Sequence, residues 1–210
     1  MNLPNSLTVT RIFLVPLLVV VLLTKFAGQQ MLGVPNEFVG AAIFGLASLT
    51  DWADGYLARR RKQVTPFGQF IDPFADKLLT LAAFISIVQL DLAPAWLVAI
   101  IIGREFAVTA LRSLGYARGV AMPASPLGKV KMIAEVVAIL ALILSHGWPH
   151  EGTVDVSYVL YMLGQAALWV AVVTALASAA DYFRRFSHIL TPRQADLTLV
   201  GRERQDRKAG

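Results

Sequence analysis

Long apolar blocks alternate with short polar breaks along the chain. The blocks predict helices over residues 8–27, 38–60, 73–90, 94–113, 127–146 and 156–183, each close to the ~20 residues that cross a bilayer as a helix. The first is the weakest, since only Ile12 to Leu23 is unbroken and Pro16 interrupts it. A signal peptide is the competing reading of that block. Against it, Arg11 lies directly beside the apolar run and no clear small-x-small cleavage site follows. The chain has no internal repeat and no low-complexity tract.

Composition sharpens this into an all-α polytopic membrane protein with six transmembrane helices. Of the 210 residues, 56% are hydrophobic, apart from 15 glycines, and only 16% are charged, against roughly 25% in a soluble domain. That excludes disorder, a charged nucleic-acid-binding arm and an ordinary water-soluble enzyme. With no cysteine, disulfides, zinc-thiolate sites and thiol catalysis are excluded too. The net charge of +5 suits an anionic surface, either nucleic acid or lipid headgroups.

Placement decides for the lipid and against nucleic acid. Six spans that start inside put the loops near 61–72 and 114–126 and the tail after 183 on one side, and 18 of the 19 Lys and Arg residues fall there, leaving only Lys25 outside. The positive-inside rule makes that side cytoplasmic, with both termini on it. Residues 1–183 form the membrane domain and 184–210 a basic cytoplasmic tail.

Acidic residues stand where insertion opposes them. Asp51, Asp54, Asp72 and Asp76 lie at the cytoplasmic halves of the second and third spans, where a carboxylate costs up to about 2.5–3.5 kcal/mol at a helix centre. Spacings of three and four put each pair on one helix face. Pro66, Gly68 and Pro73 lie in or beside the intervening turn, so the two helices are expected to pack antiparallel with both pairs meeting in one cleft. Ala58 permits close helix approach and Gly55 leaves room for a ligand. Four carboxylates suit Mg2+ or Mn2+, hard cations that keep positions open for phosphate. The alternative, interfacial acids paired with Arg59, Arg60, Arg61 and Lys62, serves for any single residue but fails for the pattern. Asp51-x-x-Asp54-Gly55-x-x-Ala58-Arg59, eight residues, then Gly68-x-x-x-Asp72-x-x-x-Asp76 arises by chance on the order of once in 10^9 windows.

This pattern resembles the signature of the CDP-alcohol phosphotransferase family, which that family carries on the second and third of six transmembrane helices. The resemblance extends from Asn2 to about Asp181. It implies transfer of a phosphatidyl group from CDP-diacylglycerol to an alcohol, with release of CMP, by a homodimer in the bacterial inner membrane whose active site faces the cytoplasm. By position, Asp51, Asp54, Asp72 and Asp76 would hold the divalent metal, and Asp76 would also be the general base. Gly55, Arg59, Thr65 and Gly68 resemble positions that bind CDP-diacylglycerol. Asn5-x-x-Thr8-x-x-Arg11 resembles a short N-terminal interfacial segment whose Asn5 and Thr8 line the cytidine pocket; alone, either would read as a helix cap.

A second group of charges reads the acceptor. Arg104-Glu105-Phe106, Leu111-Arg112 and Gly128-Lys129-Val130-Lys131 put four cations at the cytoplasmic ends of the fourth and fifth spans. Positive-inside decoration accounts for Arg118 but poorly for Arg104, which lies two turns inside an apolar run. Arg104, Arg112, Lys129 and Lys131 suit a doubly charged phosphate. A Walker loop does not fit, because Val130 follows Gly128-Lys129. These stretches are most similar to bacterial family members whose acceptor is sn-glycerol 3-phosphate. Such members often have Thr and Gln where Met132 and Glu135 stand, and Glu135 reads as a structural partner for a nearby cation. The same chemistry on inositol phosphate, phosphatidylglycerol or serine is the alternative. A divalent-cation transporter is more distant, since the acids crowd one end with no repeat. His146 and His150 are separated by Gly147 and Pro149, which opposes paired ligation, and Trp96, Trp148 and Trp169 suit interface belts or packing better than any cofactor.

Overall fold

The computed structural model describes residues 3–23, 35–61, 66–120, 126–147 and 155–186, and within them the side chains of 13–23, 35–50, 77–115, 118–120, 126–147 and 155–186. Six α-helices account for nearly all of this: α1 Leu3–Leu23, α2 Asn36–Arg61, α3 Pro66–Gln89, α4 Ala95–Ala117, α5 Pro126–Gly147 and α6 Val156–Phe186. No strand occurs among the described residues.

All six expected helices are present, with shifted ends that have local causes. The segment expected as a separate N-terminal piece is the opening of α1, which runs unbroken from Leu3 and holds Pro16 inside it. Pro66 starts α3, where its fixed φ and missing N–H suit the first helical position, so Gly68, Asp72 and Pro73 lie in the helix and not in a turn. At the other end of α3, Asp91 adopts φ 58°. Leu92 N–H bonds to Ile87 O at 2.9 Å and Asp91 N–H to Val88 O at 3.0 Å, a Schellman stop whose Ile87 and Leu92 both belong to the buried apolar core. Gly119, at φ 73°, ends α4 in the same way, with Val120 N–H bonded to Gly115 O at 2.8 Å. That places the end of α4 a turn beyond residue 113. Asp155 caps α6 by accepting the Tyr158 N–H at 3.3 Å.

The helices pack as a circuit. α5 lies along α6 in the most extensive contact; α2 joins α5 to α1, α4 rests on α6, and α3 lies on α1 while touching α4, α5 and α2 more lightly. Phe44, Phe84, Leu79, Ile87, Leu97, Ile101, Ile139, Leu142 and Leu168 fill the centre. Val108, Leu111 and Tyr182 form a smaller apolar contact between α4 and α6. Outside, Tyr158, Val159, Met162, Leu163, Trp169, Val170, Val173 and Leu176 leave α6 with an exposed apolar face. Among the described residues α6 is the one helix long and apolar enough to cross a bilayer by length and composition. Trp96 meets Trp169 edge to face at 5.8 Å.

The α5–α6 seam depends on one small residue. A methyl group at Gly164 would lie 2.7 Å from Leu142 Cγ and 3.1 Å from the Leu142 backbone nitrogen, whereas one at Gly103 would meet nothing within 4 Å. Gly164→Ala is therefore expected to destabilise the protein by about 1–3 kcal/mol through overpacking. Gly103→Ala should leave its thermal unfolding in detergent unchanged or slightly raised.

Candidate active site

The two helices that carry the acid signature present it in continuous helical backbone. Asp51, Asp54, Gly55 and Arg59 lie in the last turns of α2, and Gly68, Asp72 and Asp76 in the first half of α3. Each acid pair thus shares a face of its own helix by helical geometry. Asn5 and Thr8 lie in the first turns of α1. The side chains of these residues, and Thr65 altogether, fall outside the described residues, as does the meeting of the two acid pairs. The donor set itself fits a divalent cation, for it consists of carboxylates alone.

Immediately after Asp76 the described side chains begin, and they open onto a charged cluster between helices. Lys77 donates to Thr109 Oγ1 and lies 3.8 Å from Glu105 Oε2. Arg104 Nη1 donates to Glu105 Oε1 at 2.6 Å, and Lys131 donates to the same oxygen. Lys131 Nζ is also 2.8 Å from Glu135 Oε1, one helical turn along α5, in a contact that is ionic without the alignment of a hydrogen bond. On the far side, Arg104 donates through Nε, at 3.1 Å, and through Nη2 to Ser178 Oγ on α6. Thr109 is tied down by its own bond to the Glu105 carbonyl at 2.7 Å.

Glu105 is the hub. Cations from α3, α4 and α5 converge on its one carboxylate, which binds three helices into a unit. Three cations face two carboxylates, so with all five ionised the cluster keeps one net positive charge. Burial is uneven in a way that matters: Lys131 and Arg104 side chains are 4% and 9% exposed, while Glu105 and Lys77 are 28% and 25% exposed. The opening is therefore on the Glu105–Lys77 side.

Of the four cations assigned to an acceptor phosphate, the structure brings Arg104 and Lys131 together. Lys129 is exposed and takes no part in the cluster. Arg112, two turns beyond Arg104, is half-buried, and its Nε has no hydrogen-bond partner among the described residues. Glu135 pairs with Lys131 as expected of a structural partner. Lys77, Thr109 and Ser178 were not singled out by sequence, and neither was the central role of Glu105. Lys77 offered a signal, a cation directly before an apolar run; Ser178 offered none. At the opposite end of the bundle, His146 is exposed with Nε2 3.9 Å from Glu37 Oε1, while His150 lies outside the described residues.

Comparison with known proteins identifies what the chain as a whole is similar to. The family model for CDP-alcohol phosphatidyltransferase matches residues 1–181. The chain is 44% identical over 190 residues to the CDP-diacylglycerol–glycerol-3-phosphate 3-phosphatidyltransferase of Bacillus subtilis (strain 168), covering 88% of this chain and 94% of the relative. Proteins of the same name are similar at 35% identity in Rickettsia felis, covering 87% of this chain and 94% of the relative, and at 34% in Pseudomonas fluorescens, covering 95% and 97%.

The charged cluster makes a stability prediction independent of any activity. Lys131→Met would leave Glu135, 7% exposed, as a buried carboxylate without its cation. Removing one partner of a buried pair costs about 3–5 kcal/mol, so the variant should melt well below the parent in detergent. Adding Glu135→Gln should restore most of the loss. A double variant as unstable as the single one would show that the pairing is not what stabilises this region.

Proposed function

The chain belongs to the CDP-alcohol phosphatidyltransferase family, and from that premise we propose that it transfers a phosphatidyl group from CDP-diacylglycerol to sn-glycerol 3-phosphate, giving phosphatidylglycerophosphate and CMP. The observation that carries this reading is the full acid signature on α2 and α3, in a chain aligned almost end to end with relatives named for that reaction. The residues divide the work as their chemistry suggests. Asp51, Asp54, Asp72 and Asp76 would hold Mg2+ or Mn2+, whose bound charge would offset that of the pyrophosphate and of the departing CMP. Asn5, Thr8, Gly55, Arg59, Thr65 and Gly68 would seat CDP-diacylglycerol. Asp76 accepts the proton of the glycerol 1-hydroxyl as its oxygen bonds to the phosphorus that bears diacylglycerol, and the bond from that phosphorus to CMP breaks.

The acceptor's own phosphate selects it. Arg104, with the net positive charge of its cluster, and Arg112, whose buried Nε has no partner among the described residues, support recognition of a dianion. Lys131 contributes by fixing Glu105, and Lys129, exposed near the start of α5, adds positive charge. We further read all six helices as membrane-spanning, with both termini and the acid signature at the cytoplasmic side of a bacterial inner membrane. What supports this is that a six-span arrangement puts 18 of the 19 cations on one side, as the positive-inside rule requires, and that α6 has an exposed apolar face. Two such chains form a homodimer in this reading.

CMP release by the purified chain with CDP-diacylglycerol and Mg2+ tests the proposal. Release is expected with glycerol 3-phosphate and should vanish on chelation. Release only with inositol phosphate, serine or phosphatidylglycerol would overturn the acceptor assignment. Asp76→Asn should insert normally and lose at least about 10^2-fold in turnover, the lower range for removing a general base; undiminished turnover would remove Asp76 from that role.

A further inference from the structure

We infer that Ser178 on α6 is a positioning residue for the acceptor's phosphate, acting through Arg104; the inference rests on the reading of Arg104 as a phosphate-binding group. A guanidinium has five N–H donors in a rigid plane. Here Nε and one Nη2 hydrogen turn to Ser178 Oγ, and one Nη1 hydrogen to Glu105 Oε1. Among the described residues one donor remains uncommitted on each terminal nitrogen, and two donors on one planar group are what a phosphate accepts from arginine. The side chain is thus held at two edges while half of its terminal donors stay uncommitted.

Ser178 is built to accept. It is fully buried, and its own hydroxyl hydrogen is directed to the Ala175 carbonyl at 3.1 Å, which leaves the oxygen lone pairs for Arg104. The hydroxyl cannot turn round to donate without giving up that bond. Its neutrality matters as much as its direction. Glu105 and Glu135 already draw on the cations of the cluster, and a third carboxylate here would cancel the charge a dianionic ligand needs. A hydroxyl orients the guanidinium and leaves the charge intact. A mere tie between α4 and α6 would not need this group, for Val108, Leu111 and Tyr182 already join the two helices through apolar contact.

The reaction offers a readout that separates positioning from folding. In the full-length chain with CDP-diacylglycerol and Mg2+, Ser178→Ala should raise the KM for glycerol 3-phosphate about tenfold, the order expected for a hydrogen bond lost to a charged group. Its kcat and its KM for CDP-diacylglycerol should stay within about twofold, as for loss of binding that is equal in ground and transition states. Ser178→Thr, which keeps the oxygen, should recover most of the effect. If Ser178→Ala does not fold, Ser178→Cys, similar in size but a poor acceptor, carries the same criteria. Equal damage to both KM values and kcat would make Ser178 structural and overturn the inference. So would an unchanged KM for glycerol 3-phosphate in a chain where Arg104→Ala raises it. An Arg104→Ala chain with unchanged KM would instead remove the phosphate reading on which the inference stands.

Discussion

A charge held between apolar helices must meet its counter-charge there, and the rest of this structure is arranged around that requirement. Lys77, Arg104 and Lys131 come from three different helices, in a setting where an unpaired ammonium or guanidinium costs several kcal/mol. Glu105 receives all three, and Glu135 takes a second share of Lys131. Such pairs add little stability over a well-packed apolar core of equal volume, but they tolerate no missing partner. The consequence is specificity of arrangement: α3, α4 and α5 have one register in which the cluster closes. Ser178 extends that constraint to α6.

The same arrangement connects fold to chemistry. Asp76 precedes Lys77 on α3, so the helix that ends the acid signature also enters the cation cluster. In the proposed reaction the donor's pyrophosphate belongs with the acids and the acceptor's phosphate with the cations, and one turn of α3 borders both. In that proposal two anionic substrates that must react would be bound by opposite means, one through carboxylate-held metal and one through arginine and lysine. Net positive charge in the cluster is the feature that makes the second half workable. It survives because five charged groups are balanced three against two.

Much of this was legible in the sequence, for different physical reasons in different places. Apolar periodicity located all six helices, because helices buried against lipid or each other have long uninterrupted runs. Ends were less legible: Pro66 and Gly119 carried the true boundaries of α3 and α4, yet a hydropathy reading places them in loops. The acid signature was readable because eight residues at fixed spacing encode it locally. The cation cluster was only half readable. Arg104 is conspicuous inside an apolar run and Lys131 stands at the start of one, but the carboxylate that meets both and the hydroxyl behind Arg104 are set by packing across 26 and 74 residues of chain. Spacing along one helix carries no trace of such partners, and Lys129, next but one to Lys131, points instead to exposure.

Discrimination between glycerol 3-phosphate and unphosphorylated glycerol tests the central claim most directly, measured as the ratio of kcat/KM for the two acceptors in the native chain and in Arg104→Ala. The account predicts strong preference for the phosphorylated acceptor in the native chain. In the variant that preference should fall by about 10^2-fold, the order for a charge-assisted contact, while the slow reaction with glycerol is unchanged. Equal loss with both acceptors, or an intact preference, would contradict the claim that this buried cluster reads the acceptor's phosphate.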